Sequence, residues 1–196
     1  QVNQGFEQSV GTYVDGIYFG RPRQLRAPFF DLERVEVLRG PQSILFGKNS
    51  IAGALNLVTA KPTDEFEGSI SALLEPDHGE LETSLVLSGP ITDALAGRLA
   101  VRYREIDGFI DNVAKDLDEM ETEETVVRGA LRWDATENLQ VDLKLETGEF
   151  NSVGRNSIII GSPAPGGATP VLNDFTRKAA LDPEFSDNNY DNATLT

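Results

Sequence analysis

From residue 66 onward the chain alternates apolar and polar side chains. In 66–74, Phe66, Ile70, Ala72 and Leu74 share one face, and Glu67, Ser69 and Ser71 take the other. Residues 81–88 place Leu81, Leu85 and Leu87 together. Residues 98–104 set Leu99, Val101 and Tyr103 against Arg98, Arg102 and Arg104. The pattern repeats in 127–133 and runs without a lapse through 139–146. A period of two is the signature of a strand with two unlike faces, and five strands of about seven to ten residues are predicted.

The links between these strands come in two sizes. Residues 89–97, with Gly89-Pro90-Ile91-Thr92-Asp93, and residues 134–138 are short and carry turn chemistry, whereas 107–124 and 147–196 are long. The polar faces hold full charges: Arg102, Arg104, Arg128, Arg132, Asp142, Lys144 and Glu146. A soluble sandwich turns such a face to bulk water. A membrane barrel turns it to a wet lumen and gives its apolar face to lipid. Alternation alone fits both, but short turns exchanging with long loops is the rhythm of an outer-membrane barrel. Tyr103 and Trp133, near strand ends, suit its aromatic girdles.

Residues 1–62 follow another pattern. Asp15-Gly16 between the β-prone runs Thr12-Tyr13-Val14 and Ile17-Tyr18-Phe19 predicts a hairpin, since both positions tolerate positive φ. Arg21-Pro22-Arg23 ends that run. Residues 31–38 read as a capped helical turn passing into a strand in which Val35 and Val37 share a face. Arg39-Gly40-Pro41 breaks it, and 42–47 form a short turn closed by Gly47 at a helix C′ position. Residues 51–59 are a further strand whose small residues point to close backbone approach.

Charge separates the same two regions. Residues 1–62 hold 7 Lys and Arg against 5 Asp and Glu, and the remainder holds 10 against 27, within a net charge of −15. That balance excludes nucleic acid as a partner, because phosphate repulsion opposes binding. With no Cys, disulfide frameworks, thiol nucleophiles and zinc fingers are out, and a single His excludes poly-His metal centres. No apolar run reaches the ~18 residues of a transmembrane helix. Gly47-Lys48 resembles the end of a phosphate-binding loop, but Gln42 and Asn49 stand where that loop needs Gly and Ser or Thr. The chain opens on Gln without a secretory signal and reads as a piece of a longer protein.

Four ordered stretches carry a family resemblance: Tyr13-Val14-Asp15-Gly16; Leu32-Glu33-Arg34-Val35-Glu36-Val37-Leu38-Arg39-Gly40-Pro41-Gln42; Leu45-Phe46-Gly47-Lys48-Asn49; and Ala52-Gly53-Ala54-Leu55-Asn56-Leu57-Val58-Thr59. The series resembles the plug domain of TonB-dependent outer-membrane receptors. It continues through Ser88-Gly89-Pro90-Ile91, 99–104 and Asp107-Gly108, similar to the family's first barrel strands. The likeness implies an α+β plug, of which 1–62 would be the C-terminal part. Residues 63–196 would be the N-terminal part of a barrel of about 22 strands, a lumen too wide for side chains to fill. Such a barrel needs well over about 400 residues at roughly ten per strand, so only its beginning is expected here.

The resemblance further implies energised uptake of a scarce bulky solute, most often an iron–siderophore complex, at the bacterial outer membrane. TonB would act through a segment upstream of residue 1, outer-membrane lipid would surround the barrel, and no cofactor and no catalytic residue are expected. Glu36 and Arg39 would belong to the charged set coupling plug to barrel wall. Gly40, Gly47 and Gly53 would allow the plug's tight turns, and Pro41 would belong to the same plug motif.

Other features read more plainly. The acidic residues Asp116, Asp118, Glu119, Glu121, Glu123 and Glu124 attract cations but lack the spacing of an EF-hand, which favours a solvated loop. His78 lies in a tight turn. Asn192-Ala193-Thr194 matches a glycosylation acceptor that has no use in a bacterial outer membrane. Residues 161–167 form a Gly- and Pro-containing loop. Phe29-Phe30 suits either plug core or an apical contact with substrate. Two alternatives compete: a secreted acidic β-sandwich that binds carbohydrate, with its apolar faces packed on each other, and a glycan-cleaving enzyme with paired carboxylates. The plug-like series and the loop rhythm weigh against both.

Overall fold

A computed structural model describes residues 10–19, 29–41, 50–77, 79–108, 110–112, 117–153, 176–177 and 185–196. The chain divides into two compact units, Gln1–Pro62 and Thr63–Thr196.

The first unit is built on a four-stranded mixed sheet of β1 (Val10–Val14), β2 (Ile17–Phe19), β3 (Leu32–Arg39) and β4 (Gly53–Thr59), in the order β2-β1-β4-β3. The predicted hairpin joins β1 to β2, with Asp15 at φ 49° and Gly16 at φ 80°. Two successive positive φ values match the right-handed twist of the flanking strands. β4 is the central strand, parallel to β1 and antiparallel to β3. Val35 and Val37 share a face, opposite Leu57 and Leu55. Tyr13, Phe30, Ala54 and Leu57 supply the buried apolar side chains.

No helix occurs among the described residues. The expected helical turn at residue 31 is replaced by a left-handed residue, Asp31 at φ 48°, whose carbonyl accepts from Ala60 N at 3.0 Å. A helix N-cap holds extended φ, so this conformation leads directly into the strand. The expected turn at 42–47, Arg21-Pro22-Arg23, His78, Asp116 and 161–167 lie outside the described residues.

The second unit holds β5 (Glu67–Glu75), β6 (Glu80–Thr92), β7 (Leu95–Ile106), β8 (Ile110–Asn112), β9 (Leu117–Glu119), β10 (Thr122–Thr136), β11 (Leu139–Val153), β12 (Thr176–Arg177) and β13 (Phe185–Leu195). Six of them form an antiparallel sheet in the order β13-β11-β10-β7-β6-β5. β8, β9 and β12 make a separate three-stranded sheet, so the chain between β7 and β10 pairs with the chain between β11 and β13.

The five predicted strands are present, four of them longer, and the sheet has a sixth. β10 and β11 reach 15 residues each because pairing continues past the regularly alternating run, through Glu124↔Phe150 and Glu123↔Asn151. β13 was expected to be loop. Asn and Asp are poor strand formers, yet its ladder with β11 runs unbroken from Leu143↔Leu195 to Val153↔Phe185.

Candidate functional site

The register sorts the six-stranded sheet into two faces of opposite chemistry. One row reads Leu87↔Leu99↔Gly129↔Leu145 across β6, β7, β10 and β11, and the next Leu85↔Val101↔Val127↔Thr147. These apolar side chains are the exposed ones: Ile70 is 83% exposed, Leu74 77%, Leu145 52% and Leu99 42%. The opposite face is the covered one. Ala100 and Val126 are fully buried, and Arg128 is only 5% exposed. A sheet made for water does the reverse, and the sandwich alternative needs an apolar partner layer that the described residues do not supply.

The covered face is laced with ion pairs. Arg128 Nε donates to Glu146 Oε2 at 2.5 Å, and Tyr190 Oη donates to Oε1 of the same carboxylate at 2.6 Å. Arg104 Nε donates to Glu80 Oε1 at 2.7 Å and also lies near Glu82 and Glu124. Arg102 pairs with Glu124 at 3.3 Å. Arg98 reaches across β6 to Glu67, also at 3.3 Å, passing Ser88, the residue opposite both. Arg132 contacts Asp64 and lies 3.5 Å from Asp134. The charges expected on one face are therefore gathered there, each arginine matched by carboxylates of its own strand, of a strand one or two places away or of the lead-in to β5.

The two ends of the sheet differ as well. Two-residue turns, Asp93-Ala94 and Glu137-Asn138, close one end, each beside a register shift. At the other, β7 leads toward β10 through β8 and β9, and β11 leads toward β13 through β12. Tyr103 on β7 and Trp133 on β10 stand near opposite ends of the apolar face. Tyr103 faces Thr125 on β10, eight residues before Trp133. That is about 26 Å along the strand at ~3.3 Å per residue. Tyr103 Oη donates to Glu105 at 3.0 Å and lies 3.3 Å from Glu123, so β7 and β10 turn polar beyond that row.

In the first unit, Glu36 sits within a chain of side-chain hydrogen bonds crossing the sheet. Asn56 Nδ2 donates to Glu36 Oε2 at 2.8 Å, and Arg34 Nε donates to Oε1 at 2.7 Å. Asn56 Oδ1 accepts from Gly16 N at 3.3 Å, which ties the hairpin turn to β4. Asp15 completes the attachment by accepting from both N and Oγ1 of Thr59 at 2.8 Å. The Asn56 bond first, then the Arg34 bond, holds the Glu36 carboxyl below its ordinary pKa of 4.5.

Arg39 does not join Glu36. Three residues further along β3, it falls on the opposite face, level with Gly53. Gly40, at φ 82°, donates its N–H to Ala52 O at 3.1 Å and closes the β3–β4 pair ahead of exposed Pro41. A Cβ on Gly53 would collide with the Leu38 carbonyl oxygen, the close approach expected of this strand. Gly47 lies outside the described residues. Of the Phe pair, Phe30 is buried at 4% exposure and Phe29 is 69% exposed, so only Phe30 is core. Asn56 and Asp15 were not anticipated as a network, because a lone Asn in an apolar strand leaves no periodic mark.

Residues 2–54 match the family model described as the TonB-dependent receptor plug domain. Over 116 residues, 59% of this chain, the sequence is 32% identical to the pesticin receptor of Yersinia pestis. The chain is similar to the TonB-dependent receptors, and its residues 2–54 to their plug domain. The matched stretch covers 17% of the pesticin receptor, so the chain spans under a fifth of that relative's length. Among solved structures, the ferric yersiniabactin uptake receptor of Yersinia pestis aligns with 74% of this chain and 23% of its own, at TM-score 0.63 and 28% identity. The ferripyoverdine receptor of the Pseudomonas aeruginosa outer membrane aligns with 97% of this chain and 26% of its own, at TM-score 0.74 and 23% identity. That second likeness carries the fold alone: a strand-rich chain whose sheets follow part of that receptor's structure.

Proposed function

We propose that this chain serves TonB-driven uptake of an iron–siderophore complex across the bacterial outer membrane. Residues 1–62 are the C-terminal part of the plug, and 63–196 the N-terminal part of the barrel. The observation that carries the reading is the inverted sheet, exposed where apolar and covered where charged, with two-residue turns at one end only. The apolar face meets lipid and the charged face lines the lumen. A strand tilted by ~40° turns the 26 Å between Tyr103 and Trp133 into about 20 Å of height, close to the ~25 Å apolar band of such barrels. The short turns face the periplasm, and the longer links, paired through β8 and β12, face outward where ligand arrives. Relatives that bind or import iron chelates support the cargo.

The plug acts as a gate moved from outside the protein, and no covalent chemistry is assigned to it. Glu36, Arg39, Gly40, Pro41, Gly47 and Gly53 are its motif and coupling residues. Gly40 and Gly53 set the turn and the close approach at the end of β3. Glu36 fixes β3 to β4 on one face and leaves Arg39 on the other. The test uses the intact receptor in iron-starved cells with and without TonB. Uptake of radio-iron siderophore should require TonB, and Arg39→Ala should lower uptake more than surface binding. Equal loss of both, or of neither, removes Arg39 from the coupling role.

A further inference from the structure

The apolar face carries a groove of about 430 Å³ between β6, β7, β10 and β11. Gly89, Gly97 and Gly129 line its floor, and Phe66, Ile91, Leu131 and Leu145 its walls. A second hollow of about 450 Å³ shares Leu99, Gly129 and Leu145 with it but turns polar beyond them, where Glu146, Thr147, Asp191 and Asn192 line it. Gly129 is where the two meet, and the apolar groove ends there.

The three floor glycines have different reasons to be there. A Cβ on Gly89 would stand 2.9 Å from Phe66 Cα, and one on Gly97 would stand 2.9 Å from Ile91 Cδ1. The first clash is with backbone and fixes Gly89, whereas the second is with a side-chain tip that can move aside. A Cβ on Gly129 would meet nothing within 4 Å. Glycine weakens a strand interior, and there it marks close approach by a ligand or by another backbone. The backbone of β10 is already paired on both sides, with β7 and with β11, so an added strand has no place.

The groove also lacks hydrogen-bonding chemistry. Of its two polar lining residues, Ser88 Oγ bonds Thr63, and Arg98 reaches Glu67 on the opposite face. An occupant must be thin, extended and free of polar groups along its length. Resting on the transmembrane reading above, we propose that the groove seats one hydrocarbon chain of a membrane lipid, with Gly129 as its floor.

The intact receptor is reconstituted in phosphatidylethanolamine–phosphatidylglycerol vesicles containing a phosphatidylethanolamine with a diazirine midway along one acyl chain. After photolysis, adducts are mapped by mass spectrometry. Adducts should concentrate on the peptides carrying Leu87, Leu99 and Leu131, above those carrying Ile70 and Leu74. Gly129→Leu should lower groove adducts several-fold and leave those at Ile70 and Leu74 unchanged. Leu99→Trp fills the groove from its wall and should give the same fall if Gly129→Leu does not fold. Even labelling of the whole face, or groove labelling unchanged in both variants, overturns the proposal while the transmembrane reading stands. Absence of lipid adducts at Ile70 and Leu74 as well overturns both.

Discussion

Arg128 and Glu146 stand directly opposite each other on β10 and β11, joined at 2.5 Å with side chains only 5% and 13% exposed. Glu146 also accepts from Tyr190 of β13, so one carboxylate ties three strands together. Removing one partner of a covered pair strands the other charge, at a cost of about 3–5 kcal/mol, whereas replacing both by apolar groups is far less harmful. Arg128→Leu should therefore destabilise the intact receptor strongly, and Arg128→Leu with Glu146→Leu should recover much of the loss. A double-mutant cycle from urea unfolding measures this, and additive single losses would show that the two residues are not coupled.

Gly53 and Gly40 close the same end of the plug sheet for different reasons. Gly40 needs its positive φ, and a Cβ there meets nothing, so Gly40→Ala should cost only the left-handed penalty of about 1–2 kcal/mol. Gly53→Ala forces a methyl onto the Leu38 carbonyl and should cost more than Gly40→Ala. Calorimetry of the intact receptor ranks them, and the reverse order would contradict the close approach.

Much of this was readable in advance where the pleat imposes its period. Leu99, Val101 and Tyr103 against Arg98, Arg102 and Arg104 name both faces of β7, and Asp15-Gly16 names the hairpin. β13 was not readable, because Asn188, Asn189, Asp191 and Asn192 suit a loop and its pairing is supplied by β11. Strand ends such as Glu149 and Asn151 were missed because the apolar side chain between them, Phe150, falls on the face that is charged earlier in the strand, which breaks the alternation while the ladder continues. The plug network escaped for a related reason. Asn56 is decided by tertiary contacts with Gly16 and Glu36, 40 and 20 residues away.

Glu36 gives the plug a pH dependence of definite sign. Its carboxyl is held below the ordinary 4.5 by the Asn56 and Arg34 hydrogen bonds, so the folded state favours the charged form. The stabilisation is complete above pH of about 4.5 and is lost as the pH falls through the lower folded value. Glu36→Gln keeps the shape and removes the titration. The variant should be less stable at neutral pH and should approach the parent as the solution is acidified. Plug unfolding in the intact receptor, followed between pH 7 and 3, reads this out. A constant difference across that range would rule out Glu36 as the titrating group.

The apolar face makes the most demanding prediction, because its cost depends on depth. Leu99 lies midway between the Tyr103 and Trp133 rows, whereas Thr83 lies in the Tyr103 row itself. An arginine at the midplane of a lipid-facing barrel surface costs about 2–4 kcal/mol, and one near the interface about 0–1. Leu99→Arg should thus lower the stability of the intact receptor in lipid vesicles by the larger amount, and Thr83→Arg by little. On a face turned to water, neither arginine would carry a desolvation cost, and Leu99→Arg would behave like Thr83→Arg. Equal effects at the two sites would therefore argue that this face does not lie in the membrane, whatever the fold of the sheet that bears it.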